Sequence, residues 1–299
     1  MSNNETKQSL KSAAKNAKEQ KIVNARIENI KLDRKNMLTK KSSFTVKEAY
    51  NSARTNLLFL KKDKGCQRLA FTSCYPSEGK TINCVNMAIS LSQNNKKVLL
   101  VDCDMRRPRI RHMFDVPASP GLSEHLAGIE ETPMIREAKD YPNLSLLTAG
   151  KRPPNPAELL SSDAMIEMLD KLSSEYDYIL LDTPPVNVVT DAAVLKRAVH
   201  GYLMVVRAGM TQHDEVTAAL AKLEQLEANV LGFILNDAFT QGGSRYGRYG
   251  RYSRYARYRK YSNYSETGDG KYGYRYGGYR YGYGYGTGYG YGGGYGEYK

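Results

Sequence analysis

The 299-residue chain contains no tryptophan, only four cysteines and no long uninterrupted apolar run. A membrane span needs about 20 consecutive apolar residues, so the sequence predicts no transmembrane helix. The first residues carry scattered lysines without an apolar segment, which argues against a secretory signal. The cysteines show no Cys-x-x-Cys pair and no metal-ligand spacing, a pattern that fits a reducing compartment better than a disulfide framework. We therefore expect a cytoplasmic location.

The formal net charge of +13 is concentrated at the two ends of the chain. Residues 1–45 hold 11 Lys and Arg against 4 Asp and Glu, and residues 241–299 hold 11 against 3. Residues 46–240 are slightly acidic. A stretch of about 195 residues suffices for one α/β domain with a sizeable core. The sequence thus predicts one domain over 46–240, between a basic N-terminal arm (1–45) and a C-terminal tail (241–299).

The N-terminal arm is polar, and four of its lysines recur at helical spacing between Lys7 and Lys18. One interpretation is a solvated, partly disordered segment. The other is attraction to an anionic membrane surface, where each basic residue contributes about 1 kcal/mol. The sequence leaves both open.

The C-terminal tail lacks Leu, Ile, Val, Met and Phe but holds 18 of the 24 Tyr and 18 of the 26 Gly. Because no aliphatic side chain offsets the entropy of ordering so many glycines, we expect a disordered segment. Arg, Tyr and Gly in alternation are also typical of RNA-binding or condensing segments. As the main function, that alternative leaves the motifs of the central domain unexplained.

The central region alternates short apolar runs with helix-length segments. Runs without polar alternation suit parallel strands covered on both faces. The expected fold class is therefore α/β, a P-loop NTPase-like, mostly parallel sheet with helices on both faces. Ligands of such sheets bind beyond the carboxyl ends of the strands. The predicted strands are 69–72, 98–101, 144–147, 178–181, 202–206 and 230–235, and the predicted helices are 46–60, 81–93, 163–175, 191–198 and 214–227.

The turn after the first predicted strand reads Cys-Tyr-Pro-Ser-Glu-Gly-Lys-Thr over residues 74–81. A Gly-Lys-Thr tripeptide can arise by chance, but its place between a strand and a helix favours a P-loop that binds ATP. Lys80 would reach the β/γ-phosphate oxygens, and the Thr81 hydroxyl would ligate Mg²⁺. The predicted nucleotide-binding residues of the loop are Pro76, Ser77, Glu78, Gly79, Lys80 and Thr81.

Two further predicted strands end in acidic residues. One ends at Asp182, and the other at Asp102 with Asp104 just beyond it. A strand-end Asp can also cap a turn or a helix. These two acidic strand ends lie at the same edge of the sheet as the strand end that carries the P-loop, and together the three favour a nucleotide site. Mg²⁺ with a triphosphate then supplies the cation that clustered carboxylates need. We predict Thr81, Asp104 and Asp182 as the metal ligands.

These motifs resemble those of the bacterial tyrosine kinases, the P-loop autokinases of capsule and exopolysaccharide synthesis. Residues 75–81 resemble their Walker A motif, residues 101–108 their Walker A′ motif and residues 179–185 their Walker B motif. The resemblance covers roughly residues 46–240 and the character of the tail. Supporting segments are 121–123, 153–160, 190–192, 205–209 and 230–236.

The resemblance implies a stand-alone cytoplasmic tyrosine autokinase that uses ATP and Mg²⁺ and is recruited to the inner face of the cell membrane. Its catalytic residues would be Lys80, Asp102, Asp104 and Asp182, with Asp102 as the base, although the sequence does not separate the roles of Asp102 and Asp104. Asn236 would read adenine, as in related P-loop proteins. The resemblance also implies a membrane-embedded activator, a polysaccharide co-polymerase subunit, as partner.

The tail would be the kinase's own substrate. A flexible chain of this length reaches about 40 Å, which spans a neighbouring protomer, so we expect phosphorylation in trans. The candidate phosphoacceptors are Tyr246, Tyr249, Tyr252, Tyr255, Tyr258, Tyr261, Tyr264, Tyr272, Tyr274, Tyr276, Tyr279, Tyr281, Tyr283, Tyr285, Tyr289, Tyr291, Tyr295 and Tyr298.

Asn51 bears on the assembly of the protein, and Tyr75 bears on the nearest alternative function. The family's oligomerising helix carries Glu, Arg and Arg at three-residue spacing. Glu48 and Arg54 match, but Asn51 stands between them, so a ring-forming homo-oligomer is expected with a weaker or different contact. The alternative is an ATPase switch of the partitioning or Min type, without kinase activity. Those proteins carry a signature lysine where this chain has Tyr75, which favours the kinase.

Overall fold

A computed structural model describes residues 28, 30–60 and 65–238 of the chain. The predictions made for the tail, including all of its candidate phosphoacceptor tyrosines, and for residues 1–27 lie outside these residues.

Each of the six predicted strands coincides with an observed strand, and the predicted helices also fall on observed elements. The segment predicted as a helix over 191–198 is a 3₁₀ helix, and the elements that were not predicted include the short helices Ile110–Phe114, Leu122–Leu126 and Pro156–Ser161 and the strand Arg136–Glu137. In chain order the elements are α1 (Phe44–Leu60), β1 (Gln67–Ser73), α2 (Lys80–Ser92), β2 (Val98–Asp102), α3 (Ile110–Phe114), α4 (Leu122–Leu126), β3 (Arg136–Glu137), β4 (Leu144–Leu147), α5 (Pro156–Ser161), α6 (Asp163–Leu172), β5 (Tyr178–Asp182), the 3₁₀ helix (Ala193–Arg197), β6 (Gly201–Arg207), α7 (His213–Gln225) and β7 (Val230–Asn236).

The strands form one sheet in the order β3-β4-β2-β5-β1-β6-β7. Every neighbouring pair is parallel except β3 with β4. Strand β1 therefore lies between β5 and β6, and the loop that leaves it stands beside the carboxyl end of β5. The last residues of β2 and β5, Asp102 and Asp182, are Cα partners. The predicted fold class is confirmed, and the predicted acidic residues lie at one edge of the sheet.

Alternate residues of the central strands supply two faces of the core. Leu100 and Leu180 pack on the side that carries α1 and α2. Their neighbours Leu99 and Leu181 pack on the opposite side, against α6. Because each strand is covered on both faces, its apolar run shows no polar alternation.

The folded domain begins before residue 46, the boundary that the sequence suggested. Met37 and Leu38 are buried in the same core cluster as α2. The Leu38 N–H donates to Asn86 Oδ1 at 2.7 Å, and Asn86 Nδ2 donates to the Asn36 carbonyl at 3.0 Å. Part of the predicted arm thus belongs to the domain, because its backbone forms hydrogen bonds with the Asn86 side-chain amide on α2.

Over the part of the chain that the structure describes, none of the helices combines the length and apolar character that a membrane span requires.

Candidate active site

The P-loop connects the buried end of β1 to the first residue of α2, Lys80. Its glycine, Gly79, has φ of 90°, a backbone conformation that favours glycine. A side chain at Gly79 would also overlap the Asn236 amide, which packs on the loop. No side chain caps the N-terminus of α2, so its first N–H groups are available to an anion. The local geometry is that of a phosphate-binding loop.

Lys80 lies among the acidic strand ends. Its Nζ is 3.0 Å from Asp182 Oδ1 and 3.1 Å from Asp104 Oδ2, and all three side chains are largely buried. Burial alone would lower the pKa of Lys80, but the charges of Asp182 and Asp104 outweigh it and raise that pKa. The ammonium therefore stays charged and offsets the mutual repulsion of the two carboxylates.

Thr81 and Asp182 complete this cluster. The Thr81 hydroxyl donates to Asp182 Oδ2 at 2.7 Å. Burial raises the pKa of Asp182, and the nearby Lys80 charge opposes that rise. The structure thus brings together all three predicted metal ligands. Their donor atoms are hydroxyl and carboxylate oxygens, the kind that Mg²⁺ prefers, and the Lys80 ammonium already provides positive charge there.

Asp102 has a different environment from the other two carboxylates. Its Oδ2 accepts the backbone N–H groups of Arg109 and Ile110, each at 3.1 Å. Its Oδ1 is buried and has no hydrogen-bond partner in the part of the chain that the structure describes. Burial, followed by repulsion from Asp182 and Asp104, raises the pKa of Asp102 well above its usual range. One oxygen is therefore held by the backbone, and the other has no hydrogen-bond partner among the described residues.

Asp104 is held on the backbone as well as by Lys80. Its Oδ1 accepts the Arg107 N–H at 3.0 Å, which leaves Oδ2 directed to the Lys80 ammonium. Asp102 and Asp104, which the sequence could not tell apart, are therefore distinguished by their partners.

Asn236 meets the phosphate loop at the end of β7. Its Nδ2 donates to the Glu78 carbonyl at 3.0 Å. Arg207, at the end of β6, donates through Nη1 to the Ser77 carbonyl at 3.0 Å. Both residues line the groove that also contains Lys80 and Thr81. The predicted adenine-reading residue thus lies at the site, although its amide nitrogen is engaged by the loop itself.

Two side-chain interactions at the site had no signal in the sequence. Arg106 forms a two-pronged ion pair with the fully buried Asp191, at 2.8 and 2.9 Å. The hydrogen bond with Asp191 raises the pKa of Arg106 further. The other is the hydrogen bond that the Glu78 carboxylate accepts from the Thr211 hydroxyl, and among the described residues Glu78 has no ion-pair partner. Both pairs join loops far apart in the chain, which residue spacing cannot reveal.

The residues predicted for oligomerisation lie on α1. Glu48 Oε1 accepts from Asn51 Nδ2 at 2.8 Å. Arg54 Nη1 donates to the Ser90 carbonyl at 2.9 Å and to its hydroxyl at 3.1 Å. Both side chains therefore have partners within the chain, and their role in assembly stays a prediction.

The fold and this site define a P-loop nucleotide-binding protein, and the family model described as "AAA domain" matches residues 77–229. The chain is 35% identical over 200 residues to Tyrosine-protein kinase YwqD of Bacillus subtilis, a match that covers 67% of this chain and 84% of YwqD. It is also 35% identical to the Putative tyrosine-protein kinase CapB of Staphylococcus aureus, covering 69% of this chain and 90% of CapB. The chain spans only 27% of the length of Tyrosine-protein kinase etk of Escherichia coli, with 36% identity.

Solved structures agree with these relatives. The kinase domain of Escherichia coli tyrosine kinase ETK superposes with a TM-score of 0.63 at 35% identity, over 67% of this chain and 78% of that one. The BceF tyrosine kinase domain gives a TM-score of 0.58 at 35% identity, over 63% and 76% of the two chains. The chain belongs to the bacterial tyrosine-protein kinases.

Proposed function

We propose that this chain is an ATP-dependent protein-tyrosine kinase that phosphorylates tyrosines of its own tail, residues 241–299, between protomers. Family membership supports the activity. The single observation that carries the mechanism is the free, buried Oδ1 of Asp102, on the strand next to the one that ends at Asp182, the partner of Lys80. A phosphate-binding lysine and a carboxylate with an open acceptor are the two groups that phosphoryl transfer to a phenol requires.

In this mechanism Asp102 is the base. The tyrosine oxygen bonds to the γ-phosphorus, the bond from that phosphorus to the ADP oxygen breaks, and the phenolic proton passes to Asp102 Oδ1. The phenol has a pKa of about 10, so a carboxylate with a raised pKa is a better acceptor than an ordinary one. Oδ2 remains bound to the N–H groups of Arg109 and Ile110, which keep the carboxylate in place.

Lys80 would bind the phosphate oxygens, while Thr81, Asp104 and Asp182 would hold Mg²⁺. The ion, when bound, offsets the negative charge of the triphosphate. Asn236, beside the loop, would lie near the adenine. These assignments rest on the oxygen-only donor set around Thr81 and on the shared groove.

The place of the last described residue before the tail supports the tail's role as substrate. Ala238, the last described residue before the tail, lines the same groove as Lys80. Tethering raises the local concentration of tyrosine to roughly millimolar, so an extended substrate does not need high affinity. We infer that the tail of one protomer reaches the site of the next.

A mixing experiment tests transfer between protomers. A Lys80→Met chain with its tail is combined with an active chain that ends at residue 240, and both are incubated with ATP labelled at the γ-phosphate. We expect label on the Lys80→Met chain, and phosphopeptide mapping should assign it to tail tyrosines. Absence of label there would exclude transfer in trans. Label released only as free phosphate would indicate the ATPase switch instead.

The proposal extends to assembly and location. We infer a ring-forming homo-oligomer in which Glu48 and Arg54 contribute to the contact between protomers. A membrane-embedded activator, a polysaccharide co-polymerase subunit, would recruit the chain to the inner face of the membrane. Phosphorylation of the tail would then regulate capsule or exopolysaccharide synthesis. Sedimentation of wild type and Arg54→Ala tests the contact between protomers. Unchanged assembly of the variant would exclude a contact through Arg54 on α1.

A further inference from the structure

The phosphate loop contains a buried carboxylate, Glu78, that faces no cation among the described residues. Its side chain is 1% exposed. Oε2 accepts the backbone N–H groups of Cys74 at 2.7 Å and Tyr75 at 3.1 Å. Oε1 accepts the Thr211 hydroxyl at 2.6 Å. A negative charge within an anion-binding loop opposes phosphate binding, so the Glu78 carboxylate should have a role that offsets this cost.

The bonds of Glu78 join the loop to the segment that follows β6. Thr211 belongs to that segment, and its hydroxyl also accepts the Arg207 N–H at 2.8 Å. Arg207 in turn donates to the Ser77 carbonyl on the loop. The first half of the phosphate loop is thus tied to residues 207–211 at two points, one through the Glu78 carboxylate and one through the Arg207 guanidinium.

We propose that Glu78 is a positioning residue that holds the phosphate loop in its binding conformation before the nucleotide arrives. It occupies the N–H groups of residues 74 and 75, so that phosphate oxygens are left with those from Ser77 onwards. Ser77 has φ of 71°, an uncommon conformation for a residue with a side chain, and its carbonyl is held by Arg207. Without Glu78, the nucleotide itself would have to order this conformation, at the expense of its own affinity.

The inference rests on the proposed binding of ATP at this loop, and it differs from a role in fold stability alone. Hydrogen bonds that hold the loop in its binding conformation act before the nucleotide binds, so their loss raises the dissociation constant for the nucleotide. A residue needed only for general stability would lower the melting temperature and leave the dissociation constant of the folded protein unchanged.

The test uses the full chain and Mg²⁺ with ADP, titrated by calorimetry so that tail phosphorylation does not consume the ligand. Glu78→Ala should raise the dissociation constant about tenfold or more, since it removes hydrogen bonds to a charged group. Thr211→Val should raise it about threefold to tenfold, because one of those bonds is lost. Thr211→Ser retains the hydroxyl and should restore wild-type affinity.

Matched controls are Glu224→Ala and Thr217→Val, both exposed on α7. Within the described residues the Thr217 hydroxyl bonds only to its own helix, through the His213 carbonyl. If Glu78→Ala does not fold, the comparison of Thr211→Val with Thr211→Ser still decides. Wild-type affinity for ADP in Glu78→Ala, or an equal loss of affinity in both Thr211 variants, would overturn the proposed role of Glu78 and leave the nucleotide site itself untouched. If wild type bound no ADP, the nucleotide site would fail and the inference with it.

Discussion

Lys80 and Asp182 form a buried ion pair at the carboxyl edge of the sheet, with Nζ 3.0 Å from Oδ1 and side chains that are 10% and 1% exposed. Asp104 shares the same ammonium at 3.1 Å. One cation therefore serves two carboxylates that come from different strand ends. We expect the site to depend on this charge both for phosphate binding and for the stability of the protein without nucleotide.

Replacing Lys80 by Met should abolish transfer and also destabilise the fold. Removing one partner of a buried ion pair costs about 3–5 kcal/mol, because the remaining charge is left uncompensated. We expect no label on the tail and a lower melting temperature, and Mg²⁺ should recover part of that loss by replacing the positive charge. Lys171→Met, at an exposed position on α6, is the matched control. A variant that labels its own tail at the wild-type rate would remove Lys80 from the mechanism.

Replacing Asp102 by Asn separates catalysis from folding. The Asn carbonyl can still accept the N–H groups of Arg109 and Ile110, but the group no longer takes up a proton. Transfer should fall by about 10²–10⁴, the usual contribution of a general base. The affinity for Mg²⁺ with ADP should stay near that of wild type, as should that of the control Asp140→Asn. Unchanged transfer would shift the base to another residue, Asp104 first.

Replacing Arg106 by Ala should destabilise the domain, because Asp191 is fully buried and has Arg106 as its ion-pair partner. We expect a loss of about 3 kcal/mol in denaturant unfolding. Arg107→Ala is the control, since that exposed guanidinium forms no ion pair among the described residues. Asp191→Asn combined with Arg106→Ala should recover part of the loss. Equal stability of Arg106→Ala and Arg107→Ala would contradict a stabilising role for the ion pair of Arg106 with Asp191.

The strands and the acidic cluster could be predicted because both follow from local pattern. Apolar runs mark strands covered on both faces, and parallel strands bring their last residues to one edge. Asp102 and Asp182 therefore had to lie close together once both were placed at strand ends. The roles of Asp102 and Asp104 could not be separated from the sequence, because the two residues differ in which backbone N–H groups reach each carboxylate.

The loop contacts could not be predicted for a related reason. Glu78 and Thr211 are 133 positions apart, and Arg106 and Asp191 are 85 apart. Each pair joins two connections whose paths depend on the finished sheet. The segment around Met37 and Leu38 was also missed, because two apolar residues in a polar stretch show no periodicity. Its burial depends on Asn86, which a sequence pattern does not identify as its partner.

The Glu124 carboxylate predicts how stability depends on pH. Burial alone would raise its pKa, but hydrogen bonds from Ser119, Ser123 and the N–H groups of Lys151 and Gly121 lower it to about 2. A lowered pKa means that the folded state gains stability above the ordinary value near 4.5 and loses it as the pH falls towards 2. The contribution at neutral pH is on the order of 3 kcal/mol.

Melting curves of wild type and Glu124→Gln between pH 6 and pH 2.5 measure this term. The difference between the two proteins should be largest above pH 5 and should shrink as the pH is lowered. The exposed Glu167→Gln on α6 is the control. A difference that did not change with pH would mean that the carboxylate's charge contributes nothing.

Truncation tests where the folded domain begins. A chain that starts at residue 28 keeps Met37, Leu38 and the backbone bonds to Asn86, so its melting temperature should match that of wild type. A chain that starts at residue 44 exposes the apolar surface beneath those side chains and removes the two backbone partners of the Asn86 amide, which keeps its bond to the Tyr50 hydroxyl. The loss should be on the order of 4 kcal/mol, or about 10 °C in melting temperature for a domain of this size. If the two truncated chains melted together, the packing of residues 36–38 would not contribute to stability, and the domain would begin at α1. Asn86→Ala in the longer chain removes both bonds to this segment and should reproduce part of the same loss.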